Sequence, residues 1–255
     1  MTSSPQDAAL NQLQRGLSEF IDRLQSALGE TLLSVVLYGG AARGRFDPAV
    51  SDVNLMLVLS AISIAELDKI AAAAAPTRLE YQLSLLIVTE TDLGDSAEVF
   101  PTKFLDIRRH HETLFGPELA KDLQIPRDRL QRQTWRQLMN LHLRLRQAYL
   151  DSGRRPEQLD SVLRRSITTL FLHLGILLEL RTGKPAANSL EILDMALSAG
   201  LDSDGLAELR NFKRNRSALA SVNLVVLYEK LTHQVEAALK LADEREVSPH
   251  EPPPA

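Results

Sequence analysis

Cysteine is absent from all 255 residues, which excludes disulfides, thiol catalysis and Cys-ligated zinc or iron–sulfur centres. A dominant charge is missing as well. The 29 Lys and Arg stand against 33 Asp and Glu for a net charge of −4, so no basic field points to nucleic acid, which is not an expected partner. The first residues, MTSSPQDAALNQLQ, lack the basic flank and apolar run of a signal peptide. No long hydrophobic run is present either: the most apolar helical stretch, Ile167 to Leu180, is too short to span a bilayer and carries His173. The expectation is a cytoplasmic protein with no membrane partner. What remains is ordinary, 44% hydrophobic and 24% charged, and the length suits one large domain or two smaller ones with real cores.

The chemistry concentrates between Leu37 and Val58, LYGGAARGRFDPAVSDVNLMLV. A short apolar strand, Leu32 to Tyr38, breaks at Gly39-Gly40, and a second apolar strand starts with Asp52 and Asn54. A glycine pair lets backbone N–H groups approach a phosphate, and Ala41-Ala42-Arg43 can open a helix whose N-terminus favours an anion. Residues two apart on a strand share a face, so Asp52 and Asn54 project together. A phosphate cradle beside paired oxygen ligands suits Mg²⁺-dependent phosphoryl chemistry. The second ligand, however, is an amide.

The rest of the chain supplies the frame. Leu10, Leu13, Leu17, Phe20, Ile21, Leu24 and Leu28 recur with a helical period over residues 7–28, with Asp7 as cap. Ser63 and Glu66 form a capping-box pattern for a helix that Pro76 is expected to stop near Ala74. Arg78 to Val88 then reads as a third strand, with Glu80, Gln82 and Ser84 on one face. Residues 89–102 read as loop, Lys103 to His111 as a short helix, and Leu114 to Pro117 as a turn. From Pro126 onward only helices are expected, over about 126–150, 156–180, 189–199, 203–215 and 222–244, which makes an all-α bundle. The proline-rich tail SPHEPPPA is read as disordered, and no internal repeat is present.

Tyr38-Gly39-Gly40, eleven intervening residues and Asp52-Val53-Asn54-Leu55 resemble the signature of the DNA polymerase beta-like nucleotidyltransferases. The segments ARGRFDP, VTETDL, FPTKFLDI and LFG resemble the small bacterial, aminoglycoside-nucleotidyltransferase-like branch, and the likeness covers about residues 30 to 245. It implies an α/β (α+β) nucleotidyltransferase-type mixed sheet with flanking helices over residues 1–118. A C-terminal all-α helical bundle would follow over 126–245, then the tail at 246–255. It also implies a nucleoside triphosphate partner, ATP or another, with phosphates at Gly39, Gly40 and Arg43. Mg²⁺ would be held by Asp52 and Asn54, and Glu80 would be the third acid and base. The reaction implied is nucleotidyl transfer to a hydroxyl of a small molecule or protein whose identity the sequence leaves open.

Three acids usually share the metals in that family, and here a neutral amide stands at the second position. In an alternative alignment the third falls on Gln82 or Ser84 instead of Glu80, leaving no acid there. A catalytically inactive pseudoenzyme that binds a nucleotide or a partner is therefore the competing reading. Several features also have plain structural readings. Arg43 and Arg45 could be solvated loop charges rather than phosphate contacts. Arg108-Arg109-His110-His111 reads as a polar helix end, since adjacent histidines point different ways. Arg127, Arg129, Arg132, Arg136, Arg144 and Arg146 read as a solvated face or, alternatively, a lining that meets a polyanion. His173 reads as a core histidine. Arg210-Asn211 resembles the start of the Arg-polar-x4-His motif of HEPN-type ribonucleases, but Asn215 and Arg216 stand where the histidine belongs. The apolar bundle helices could serve a homodimer as well as a monomer core.

Overall fold

A computed structural model describes residues 5–44, 46, 51–215 and 223–243. Arg45, most of the FDP loop, Arg216 and the SPHEPPPA tail lie outside the described residues. The chain divides into two compact units, Met1–Arg129 and Leu130–Ala255.

In the first unit, α1 (Pro5–Leu28) leads into β1 (Leu32–Tyr38) and β2 (Asp52–Leu59). The helix α2 (Ile64–Glu80) and strand β3 (Gln82–Thr89) follow, then α3 (Glu90–Val99), α4 (Pro101–Arg109) and β4 (His111–Phe115). The sheet order is β3-β2-β1-β4; β1 is antiparallel to both β2 and β4, and β2 is parallel to β3. The alternation along β2 builds two layers from one strand. Val53, Leu55, Leu57 and Leu59 meet Leu13, Leu17, Phe20 and Leu24 of α1 and Ile70 of α2. Met56 and Val58 meet Leu93 of α3 and Phe104 and Ile107 of α4. Full burial of such side chains stabilises the fold by ~1.5–3 kcal/mol each.

Four expectations need correction here. The helix α2 does not stop at Pro76 but runs on to Glu80. Proline removes one i→i−4 hydrogen bond, yet Arg23 of α1 grips the helix on both sides of it, Nε donating to Ala73 O at 3.1 Å and Nη2 to Thr77 Oγ1 at 2.8 Å. The third strand therefore starts at Gln82, not Arg78, and Glu80 ends a helix. The stretch read as a loop after Thr89 contains α3, begun by a capping box between Thr89 and Asp92. Leu114 and Phe115, read as part of a turn, end the edge strand β4.

The second unit comprises α5 (Arg127–Ser152, entering from the end of the first unit), α6 (Pro156–Thr182), α7 (Ser189–Ser198), α8 (Ser203–Arg214) and α9 (Leu224–Asp243). By length and composition α6 could cross a membrane, but its leucines pack in one core with those of α5, α8 and α9. Within that core His173 is 5% exposed, and its Nδ1 has no partner among the described residues.

Burial holds the His173 pKa down at about 4. The native imidazole thus stays neutral where the unfolded one, with a pKa near 6.5, takes a proton. The contribution is fully present above about pH 6.5 and is lost as pH falls toward 4. By pH 4.5 about 2.5 kcal/mol of it has been lost. We expect His173→Leu to flatten the acid limb of denaturant-measured stability between those pH values. An unchanged limb rejects this assignment.

Candidate functional site

The site grows from the end of β1. The apolar run Leu32–Tyr38 terminates because Gly39 takes φ +80, a conformation that penalises any side chain. A second constraint acts at the same atom: a Cβ on Gly39 would stand 3.3 Å from Asn54 Nδ2. Gly40 is in ordinary right-handed geometry, φ −62. The expected helix at Ala41 is a single 3-10 turn, Ala41–Arg43, closed by hydrogen bonds from Arg43 N to Gly40 O (3.2 Å) and Gly44 N to Ala41 O (3.0 Å). Three residues make no helix dipole of consequence. Any phosphate contact here belongs to the backbone of the glycine turn.

Strand register then places the side chains. Tyr38 pairs with Asn54 on β2 and with His111 on β4, while Asn54 pairs with Ser84 on β3. Ser84, Asn54, Tyr38 and His111 thus form one row across all four strands, on the face covered by α3 and α4. One step outward, Asp52 pairs with Gln82. Asp52 is exposed and Asn54 half-buried, with a long 3.4 Å contact from Asn54 Nδ2 to Asp52 O. Thus Gly39, Asn54 and Asp52 do come together at one end of the sheet. Glu80 does not join them through β3, whose eight residues, QLSLLIVT, contain no carboxylate.

The helix α4 flanks the same end. The Arg43 guanidinium is paired through Nη2 with Asp106 Oδ1 and lies 3.2 Å from His110 Nδ1; His110 Nδ1 is in turn 3.3 Å from Asp106 Oδ1. A cation expected to meet phosphate is therefore engaged by a carboxylate. Asp106 and His110 are one helical turn apart, and Lys103 stands three residues before Asp106 on the same stripe. Lys103 Nζ lies 6.0 Å from the centroid of the Tyr38 ring, at the outer limit of a cation–π contact. Burial raises the pKa of the Tyr38 hydroxyl, so it stays protonated. The two adjacent histidines do point apart: His111 Nδ1 is 2.9 Å from Ile107 O, at the end of α4. Sequence reasoning gave Lys103 and Asp106 no role of their own and took His110 only as part of a polar helix end. Their i, i+3, i+7 spacing was visible, but Arg43 is 63 residues from Asp106 along the chain.

These residues can be tested against the metal chemistry. A two-metal clamp needs several carboxylates within a few ångströms. No group of three His, Asp or Glu among the described residues could hold a metal ion. Asp106 and His110 are already committed to Arg43. The donor set would suit at most one Mg²⁺, to which Asp52 would give a carboxylate and Asn54 a neutral amide oxygen, with waters or phosphate oxygens filling most of its shell. It does not fit two.

No protein-family model and no curated protein matches the sequence. At the level of structure, the chain resembles a spectinomycin adenyltransferase, AAD(9), from Enterococcus faecialis, crystallised with ATP and spectinomycin. The likeness covers 90% of this chain and 98% of that one, with a TM-score of 0.53 and 13% sequence identity. A nucleotidyltransferase-like protein from Exiguobacterium sibiricum matches over 89% of this chain and 74% of its own, at 12% identity and a TM-score of 0.34, too loose to add weight. The fold of this chain, a mixed four-stranded sheet with flanking helices and a helical C-terminal part, is that of nucleotidyltransferases.

Proposed function

We propose that this nucleotidyltransferase-fold chain binds a nucleoside triphosphate at the Gly39–Gly40 turn, with Asp52 meeting a single nucleotide-borne Mg²⁺, and that its nucleotidyl transfer is lost or greatly weakened. The observation that carries this reading is the register between β2 and β3. Gln82 stands beside Asp52 and Ser84 beside Asn54, so the strand best placed to supply a further acid offers an amide and a hydroxyl. A neutral ligand does not compensate the charge on Mg²⁺, and a single carboxylate leaves most of the charge of two ions uncompensated. Nucleotide binding makes smaller demands. It needs a close backbone approach, and Gly39 with its φ of +80 supports one. The likeness to an adenyltransferase solved with ATP agrees with an adenine nucleotide. Any residual transfer would run to a hydroxyl of a small molecule or protein.

Thermal melting of the full chain with ATP, GTP, CTP and UTP, each with and without Mg²⁺, tests this. A nucleotide at 100 times its Kd stabilises the native state by ~2.7 kcal/mol. We expect at least one nucleotide to raise the melting temperature, with modest help from Mg²⁺. Asn54→Asp is expected to increase the Mg²⁺ dependence of nucleotide affinity about tenfold, the scale of a changed metal shell. Four flat titrations sink the binding reading. Rapid pyrophosphate release by the unmodified protein sinks the claim of weakened catalysis.

A further inference from the structure

We infer that the helical unit carries an anion pocket of its own, between α5 and α6, that takes a small phosphorylated molecule by its phosphate or diphosphate group. The pocket has a volume of about 250 Å³. From α5 it is lined by Gln137, Asn140 and Arg144, and from α6 by Arg165, Ser166 and Thr169; the remaining lining residues are aliphatic. Gln137, Asn140 and Arg144 are spaced i, i+3, i+7, and Arg165, Ser166 and Thr169 stand at i+3, i+4 and i+7 from Val162, which also lines the pocket, so the two stripes face a shared groove. No carboxylate lines it.

Most of the donors are unspent, although the Thr169 hydroxyl donates to Arg165 O at 3.2 Å. Arg144 makes no hydrogen bond or ion pair among the described residues. Arg165 bonds only within its own helix, Nη2 to Ser161 Oγ at 3.1 Å and Nε to Ser161 O at 3.4 Å, which leaves most of its five N–H groups free. The Ser166 side chain, 9% exposed, has no hydrogen-bond partner among the described residues. Two guanidiniums, a buried hydroxyl and two primary amides over an aliphatic floor are complementary to an oxyanion with several acceptor oxygens. Carboxylate ligands offer fewer oxygens and would leave donors unmatched. The volume, worth roughly eight waters at ~30 Å³ each, holds a phosphate or diphosphate and leaves the rest of the molecule outside. This pocket is separate in residues from the glycine turn and does not depend on nucleotide binding there.

The test is an NMR titration of the ¹⁵N-labelled full chain with inorganic phosphate and with pyrophosphate at constant ionic strength, read at the arginine Nε–Hε and Ser166 amide signals. The Arg144 and Arg165 signals and the Ser166 amide are expected to move saturably, pyrophosphate binding more tightly than phosphate. Arg144→Gln and Arg165→Gln should each weaken pyrophosphate about ten- to hundredfold, the scale of a charge-assisted hydrogen bond to an anion. Both side chains are exposed, so the variants should fold. Arg165→Lys, which keeps charge but loses the fork, should fall between. Signals that stay still at millimolar pyrophosphate overturn the inference, as does an equal response to chloride. A single-stranded oligonucleotide that moves the same signals at far lower concentration overturns the small-molecule assignment in favour of nucleic acid.

Discussion

Replacing Gly116 by alanine is expected to destabilise the first unit by about 4 kcal/mol and to lower its melting temperature by ~10 °C. Gly116 follows β4 with φ +76, and a Cβ there would stand 2.0 Å from Leu33 O, 3.0 Å from the Leu33 carbonyl carbon and 3.1 Å from Ser34 Cα. All three are backbone atoms of β1, so no rotamer change relieves the overlap. The left-handed conformation alone costs an L-residue ~1–2 kcal/mol. The surroundings are also pinned. The buried Ser34 hydroxyl lies 3.0 Å from both Phe115 O and Pro117 O, which clamps the chain on either side of the glycine. Relief requires β4 to move away from β1, and that separates His111 from Tyr38 in the row leading to Asn54. Denaturant titration of the full chain, followed by the transition of the first unit, measures this. A loss under ~1 kcal/mol contradicts the clash argument. Nucleotide affinity should fall along with stability, because the same strand pair carries the Gly39 turn.

Much of this frame is legible in the sequence, and the reasons are local. The strands Leu32–Tyr38 and Asp52–Leu59 are solid apolar runs bounded by glycines and by an acidic residue, and the structure has them at those bounds. The long helices of the second unit announce themselves through their leucine period. The errors cluster where a local signal is outvoted by a distant contact. Pro76 reads as a stop until Arg23, 50 residues from Ala73, holds the helix through it. That one extension moves Glu80 off the strand and leaves Gln82 beside Asp52 and Ser84 beside Asn54. The edge strand HETLF is too short to alternate convincingly and is specified by pairing with β1. Likewise Arg43 looks free in the sequence, because its partners Asp106 and His110 arrive only when α4 packs on the sheet. The glycine turn and the Asp52-Val53-Asn54 strand start are written in contiguous residues; the electrostatics around them are written in pairs far apart.

Arg164→Ala should cost the second unit about 3–4 kcal/mol, close to the penalty for breaking a buried ion pair. The side chain is about 20% exposed and its partner Asp160 16%. Nε lies 2.9 Å from both Asp160 oxygens, Nη1 donates to Phe212 O and Lys213 O at 3.1 Å, and Nη2 donates to Asn215 O at 3.3 Å. The guanidinium carbon also sits 4.5 Å from the Phe212 ring centroid. Those carbonyls belong to the end of α8, where a helix has no partners of its own. Alanine therefore withdraws a donor from one carboxylate and three carbonyls at once. Lysine, with one rotatable ammonium, cannot reach all of these acceptors and should recover less than half of the loss. At ~2–4 °C per kcal/mol the second unit's transition should fall by ~6–15 °C in the alanine variant. The neighbouring residue supplies the contrast. Arg165 reaches only Ser161 on its own helix, so Arg165→Gln should melt within ~0.5 kcal/mol of the parent while losing pyrophosphate. If the two substitutions prove equally destabilising, the division of this arginine pair into one that anchors α8 and one that is free for a ligand is wrong.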